Sequence, residues 1–201
     1  MRILDTKKYI STKTDIKYKF YDNDKYIGII LENKSDLNKF IKFLKDDKNL
    51  LFNQLIDISA IDFPSREYRF DVFYLFSSLT KNQRILIKIS IKVDDFVESI
   101  TPLYFAANWY ERECYDLFGI QFQNHPDLRR IMTDYNFEGH PLRKDFPLTG
   151  HNEVRYDDLE KKVVYEKVNL QQEYRNFDYQ SPWEGLENQL IGDEKAEKEN
   201  K

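Results

Sequence analysis

The chain has 201 residues, 41% of them hydrophobic and 33% charged, with a formal net charge of −4. That suffices for one core-forming domain with an extension, or for two very small domains, and the negative balance disfavours a general nucleic-acid binder, whose phosphate contacts need a cationic surface. A single cysteine, Cys114, excludes an internal disulfide and any site built from four thiolates of this chain.

With 14 Tyr and 15 Phe, much of the buried surface must come from rings. No apolar run approaches the ~18–20 residues of a membrane span. The first eight residues, from Met1 to Lys8, lack an apolar signal core and are not an acid-poor Arg/Ser helix. The chain is therefore expected to be made where it works or to be already processed, and the lone cysteine fits an intracellular or organellar setting. The excess of Ile, Lys, Asn, Tyr and Phe over Ala and Gly suggests an AT-rich gene, as in an organelle genome.

Residues 1–25 are charged and aromatic, with a turn at Asp22-Asn23-Asp24, and read as an N-terminal extension. Residues 26–31 form a short apolar run, most simply a strand. Ser35 is placed to cap a helix whose Leu37, Phe40, Ile41 and Leu44 fall at helical spacing. Residues 52–63 read as a strand, followed by a Pro64-Ser65 turn, and residues 68–76 as a second, aromatic one. From 84 to 93, Ile85, Ile87, Ile89, Ile91 and Val93 alternate with Arg84, Lys88 and Lys92, the pattern of a half-buried strand.

Thr101-Pro102 is a helix start signal, and the helix from about residue 106 ends at Gly119. Its expected buried stripe is Ala107, Tyr110, Cys114 and Leu117. The order β-α-β-β-β-α predicts an α+β domain over 26–120, with helices packed on a mostly antiparallel or mixed sheet. From Gln121 the periodicity fades. Residues 124–150 hold three Pro and two Gly, and residues 163–165 form a short strand-like core. Residues 170–192 are polar with scattered Tyr174, Phe177, Tyr179 and Trp183. Residues 121–192 read as a long extended C-terminal arm needing a partner surface, and 193–201 as a disordered charged tail.

The candidate chemistry is sparse. His125, His140 and His151 lack the close spacing of metal ligands, so His125-Pro126 and His140-Pro141 read as turn and hydrogen-bonding elements. A metal-dependent hydrolase using His125, Asp127 and His140 is the alternative of a different class. Glu111-Arg112-Glu113 with Asp116 fits a helix surface with Arg112 and Asp116 paired four apart, because no nucleophile or oxyanion donors accompany it. Arg129-Arg130 and Arg143-Lys144 are offset by Asp127, Asp134, Glu138 and Asp145, a neutral balance suited to protein contacts. No Gly-rich phosphate loop is present, so NAD, FMN and ATP are not expected to bind here by a standard motif. Cys114 reads as core rather than nucleophile, and Trp183 as an interface anchor.

Glu111-Arg112-Glu113, then Asp116-Leu117-Phe118-Gly119-Ile120, then His125, Arg129, Ile131 and Met132 resemble the signature of the 30-kDa subunit family of respiratory complex I. Ala107 to Tyr110 before it, and Asp134-Tyr135 and Phe137 to Pro147 after it, including Gly139, His140, Arg143, Lys144, Asp145 and Phe146, are similar to the same family. A looser likeness reaches back to about Leu31. The resemblance implies a subunit of the peripheral arm of NADH:ubiquinone oxidoreductase that carries no cofactor, with FMN and iron–sulfur clusters held by partner subunits. It implies packing against the 49-kDa subunit and iron–sulfur neighbours, on the matrix side of the mitochondrial inner membrane, touching the membrane only through the complex. Similar scaffolds in plastid NDH or membrane-bound hydrogenase complexes are the related alternative. Signature and interface residues implied in this way include Trp109, Glu111, Glu113, Phe118, Gly119, Asp127, Arg129 and Arg130, and Trp183 joins them as an interface anchor by its place in the arm. Arg129, Arg130, Arg143 and Lys144 are expected to meet partner carboxylates, with Glu111, Glu113 and Asp145 as further partners or relays.

Overall fold

The computed structural model describes residues 3–169 apart from Asp22 and Asp24. Alternation of apolar and polar residues builds its centre. Strands β1 (Tyr18–Tyr21), β2 (Ile27–Leu31), β3 (Gln54–Asp62), β4 (Phe70–Ser78) and β5 (Gln83–Ile91) form one sheet in the order β1-β2-β5-β4-β3. The β2–β5 pair is parallel and the others are antiparallel, so the sheet is mixed, as the α+β reading expects. Register places Phe70, Val72, Tyr74 and Phe76 opposite Ile91, Ile89, Ile87 and Ile85. All eight are buried on one face, against which the helices pack. Val93, assigned to the same stripe, lies beyond the strand and is exposed.

Helix α2 (Leu37–Asp46) buries Leu37, Phe40, Ile41 and Leu44, the four positions its spacing singles out. Its start differs: a 3-10 turn (Lys34–Asp36) leads in, and no side chain caps the helix, so Ser35 does not hold the expected role. The segment read as an N-terminal extension contains helix α1 (Ile3–Lys13), whose Ile10 is fully buried in the core. Strand β1 pairs with β2 from Tyr18 to Tyr21, so the sheet starts before residue 26. The expected turn at 22–24 lies partly outside the described residues, but Asn23 Oδ1 accepts the Lys25 N–H at 2.8 Å.

Helix α3 (Ala107–Phe118) begins later than Thr101-Pro102, which opens a run of turns in front of it. The helix lies on β3, where the Cys114 thiol meets the Ile58 carbonyl at 3.4 Å. The short strands β6 (Phe96–Glu98) and β7 (Gln121–Gln123) pair in parallel and bracket α3. Residues 121–150, read as the start of an arm, belong to the same compact unit as residues 1–120. A second unit starts at His151. Its described part is a hairpin of β8 (Asn152–Asp157) and β9 (Lys162–Lys167), where Val154 faces Tyr165 and Tyr156 faces Val163. The proposed anchor Trp183 and the tail 193–201 lie outside the described residues. Among the described residues no helix is long and apolar enough to cross a membrane.

Candidate interaction site at the end of helix α3

A helix leaves its last carbonyls without intrahelical donors and carries partial negative charge there. In α3 the segment 125–146 supplies both donors and positive charge. Gly119, at φ 77°, takes the left-handed conformation that ends the helix and returns its N–H to the Tyr115 carbonyl at 2.8 Å. The Asp116 carbonyl accepts from His140 Nδ1 at 2.8 Å, the Leu117 carbonyl from the Leu142 N–H at 3.0 Å, and the Phe118 carbonyl from Arg143 Nε at 2.6 Å. A side chain at 119 would meet the Arg143 guanidinium and the His140 ring, with a Cβ only 2.3 and 2.6 Å from their nearest atoms.

Asp116 is the hub. Its Oδ2 accepts three successive backbone N–H groups, from Ile131 at 2.9 Å, Met132 at 2.7 Å and Thr133 at 2.9 Å. Its Oδ1 accepts from Arg130 at 2.7 Å and from the Thr133 hydroxyl. Burial alone would raise its pKa, but the donors of Thr133, Met132 and Arg130 outweigh it and hold the carboxyl well below the usual range. The expected Arg112–Asp116 pair is not formed. Arg112 instead donates to the Arg129 and Arg130 carbonyls, both at 3.0 Å.

A second buried carboxylate fixes the far end of the segment. Asp62 accepts from Arg69 Nε at 2.6 Å and Nη2 at 2.8 Å, and from the Lys144 N–H at 2.7 Å. The Arg69 bonds lower its pKa, against its burial. Asp145 joins through Arg69 at 2.9 Å, and Phe146 lies beneath Gly139, stacking on Phe137. The bidentate Asp62–Arg69 pair, seven residues apart across a turn, was missed in the sequence. Its signal was an Asp on the core side of one strand and an Arg at the start of the next.

Among the residues expected to face a partner, Arg129 pairs with Asp127 at 2.8 Å on the surface, and Arg130 and Arg143 are engaged within the chain. Lys144 uses its backbone in the chain while its side chain is exposed. Trp109 is 68% exposed, and Phe105, Met132, Tyr135 and Leu148 are exposed as well. Glu111, read as a helix-surface residue, is fully buried.

Nor do the histidines converge. His125 Nδ1 accepts the Asp127 N–H at 3.1 Å, so its Nε2–H points to the Asn108 carbonyl at 3.0 Å. His140 clamps the end of α3, and burial lowers its pKa. Among the described residues no set of three His, Cys, Asp or Glu is placed to hold a metal ion. The arrangement clamps a chain segment and presents apolar side chains, with no nucleophile–base pair in it.

Comparison with known proteins gives this segment its context. Residues 30–152 match the family described as respiratory-chain NADH dehydrogenase, 30 Kd subunit. A protein of Ruegeria pomeroyi, named as a subunit of NADH-quinone oxidoreductase, is 58% identical over 163 residues, 81% of this chain and 82% of the relative. The protein of the same name from Brucella ovis is 60% identical over 156 residues, covering 78% of this chain and 77% of its own. The fold is similar to a chain in the structure of the membrane-bound sulfane sulfur reductase, an archaeal respiratory membrane complex, with a TM-score of 0.62 at 20% identity over 72% of this chain and 85% of that one. A clamped, aromatic segment on an α+β domain, at this level of identity over most of its length, makes the chain a member of the 30-kDa subunit family of respiratory-chain NADH dehydrogenase.

Proposed function

We propose that the chain is a non-catalytic core subunit of the peripheral arm of NADH:ubiquinone oxidoreductase. It holds neighbouring subunits in register while electrons pass between their cofactors. The observation that carries this reading is the 125–146 segment, pinned by two buried carboxylates and three helix-end carbonyls, which holds exposed Met132 and Tyr135 on a rigid base, with Trp109 exposed on the helix it is pinned to. Rigid presentation of aromatics lowers the ordering cost of association, and such residues dominate interface energetics. The partners implied by the family are the 49-kDa subunit and the iron–sulfur subunits, with FMN and clusters residing in those chains. Within the contact, Trp109, Glu113, Arg129 and Lys144 face the partner, and we propose Trp183 as a further anchor. Arg130, Arg143, Asp116 and Asp145 act through the fold that supports them.

The setting we propose is the matrix side of a mitochondrial inner membrane, with the gene in the organelle. The Ile-, Lys-, Asn-, Tyr- and Phe-rich composition supports it. A hydrolase built on His125, Asp127 and His140 loses its basis, because both ring nitrogens of His125 are bonded to the backbone and His140 serves the helix end.

Affinity purification of the complex through a tag on another subunit tests the contact assignment. A Trp109→Ala and Lys144→Glu double variant, which leaves the internal clamps intact, is expected to fall out of the purified complex while its folding stays normal. Full retention of the variant would reject these residues as partner contacts.

A further inference from the structure

Glu111 projects from the buried face of α3 and takes no part in the clamp. Its Oε1 accepts the Ile100 N–H at 2.8 Å and its Oε2 accepts from Ser99 Oγ at 2.6 Å. Ser99 Oγ lies 2.7 Å from Thr101 Oγ1 and accepts the Thr101 N–H at 3.1 Å. Thr101 is partly exposed. Two hydroxyls therefore link a fully buried carboxyl to the surface. Because a hydroxyl both donates and accepts, the chain satisfies either protonation state. An ionised Glu111 accepts from Ser99. A protonated one donates to Ser99, which turns its own hydrogen to Thr101.

The other groups around Glu111 do not neutralise it. From the segment after β7, His125 reaches to 3.9 Å with a side chain fully removed from solvent, but its Nε2–H is directed at the Asn108 carbonyl. From β4 comes Tyr74, whose buried hydroxyl has no hydrogen-bond partner among the described residues. Cys114 of the same helix is bonded to Ile58, with Asp57 of β3 and Glu113 acting on it from farther out. A buried carboxylate without a cation is costly, so the neutral form is favoured.

We infer that Glu111 is a proton-binding site connected to solvent through Ser99 and Thr101, and that its occupancy controls how firmly the segment following β7 is held on α3. Burial pushes the carboxyl up to about 7, against the opposing bonds from Ser99 and Ile100. Uptake is balanced: a solvent proton binds Thr101 Oγ1, the Thr101 hydrogen passes to Ser99, and the Ser99 hydrogen passes to Glu111 Oε2. Each O–H bond forms as the next breaks. Coupling to the segment follows from shared contacts, since Ser99 N–H donates to the Gln123 carbonyl at 2.9 Å and His125 anchors on Asn108. When Glu111 ionises, its anion draws the His125 N–H away from Asn108 and loosens that anchor. This inference goes beyond the assembly reading and stands on the chain's own residues.

The test is a pH titration of the full-length chain with 13C-labelled glutamate side chains, followed by NMR. One carboxyl resonance is expected to titrate within about a unit of 7 and to be missing in Glu111→Gln, with the His125 Nε2 and Asp127 amide signals following the same midpoint. Thr101→Val, at a part-exposed position, serves as a second variant should Glu111→Gln not fold. It removes the acceptor that Ser99 needs when Glu111 is protonated, so the midpoint is expected to fall by about half a unit, roughly threefold in proton affinity. The inference is overturned if every glutamate titrates below about 5, if the elevated resonance persists in Glu111→Gln, or if Thr101→Val leaves the midpoint unmoved.

Discussion

Asp116 shows how a single carboxylate organises a segment that has no regular structure of its own. Five donors from residues 130–133 converge on its two oxygens. Replacing Asp116 with Ala strands three part-buried N–H groups and the Arg130 charge, and is expected to cost about 2–4 kcal/mol in chemical denaturation. The pH dependence has a definite sign. The depressed Asp116 carboxyl contributes stability above its unfolded pKa, near 4, and that stability is lost as the pH falls toward the folded value. Glu111 runs the other way. Its folded pKa of about 7 exceeds the unfolded value near 4.3, so its contribution is complete below that value and is lost as the pH rises to 7. Wild type is thus expected to lose stability relative to Glu111→Gln across this window. A difference in thermal midpoint that stays flat with pH would contradict the assignment. Neither role was legible in the sequence. Helical spacing showed Glu111, Arg112 and Asp116 as one charged surface, whereas their partners come from 11 to 18 residues away in both directions along the chain. Only tertiary placement separates a buried carboxyl from a solvated one.

Elements whose burial is periodic were legible, and those whose burial is local to one or two residues were not. The four buried positions of α2 and the Ile85-to-Ile91 alternation of β5 follow directly from period 3.6 and period 2. Gly119 was legible as a helix end because the left-handed position needs it. Substituting Gly119 with Ala combines that backbone strain with contact against His140 and Arg143, and a loss of roughly 1–3 kcal/mol is expected in denaturant titration. Helix α1 escaped notice because only Thr6 and Ile10 are buried in it, too few to make a stripe. Ile10→Ala tests its place in the core, with an expected loss of about 2–4 kcal/mol. A loss near zero would show that α1 is detached from the domain. Of the hairpin β8–β9, which stands in a separate unit, only the core of β9 at residues 163–165 was visible in the sequence, and β8, with its mixture of charged and apolar residues, was not. Truncation after Gly150 is therefore expected to leave one cooperative unfolding transition from the first unit, as followed by circular dichroism.

At the scale of the molecule, the domain keeps its own core and leaves large side chains outside it. Phe105, Trp109, Met132, Tyr135 and Leu148 are exposed around the clamped segment, and Val154, Tyr156, Val163 and Tyr165 form an exposed stripe on the hairpin. Large apolar side chains left outside the core are what the proposed contact with another protein requires. The family was legible from the 109–147 signature, because several of its residues are fixed by contacts rather than by periodicity. Gly119 permits the turn, Asp116 holds three N–H groups, and His140 and Arg143 close the helix end. Truncation after Gly150 is expected to abolish incorporation into the complex while sparing the fold, which separates an assembly role from a folding role. The assembly role itself is tested most directly by native electrophoresis of gently solubilised membranes, probed for this chain and stained for NADH dehydrogenase activity. Co-migration of the chain with a large, active complex is the expected result. Migration wholly as a small species, with none in the active band, would contradict it.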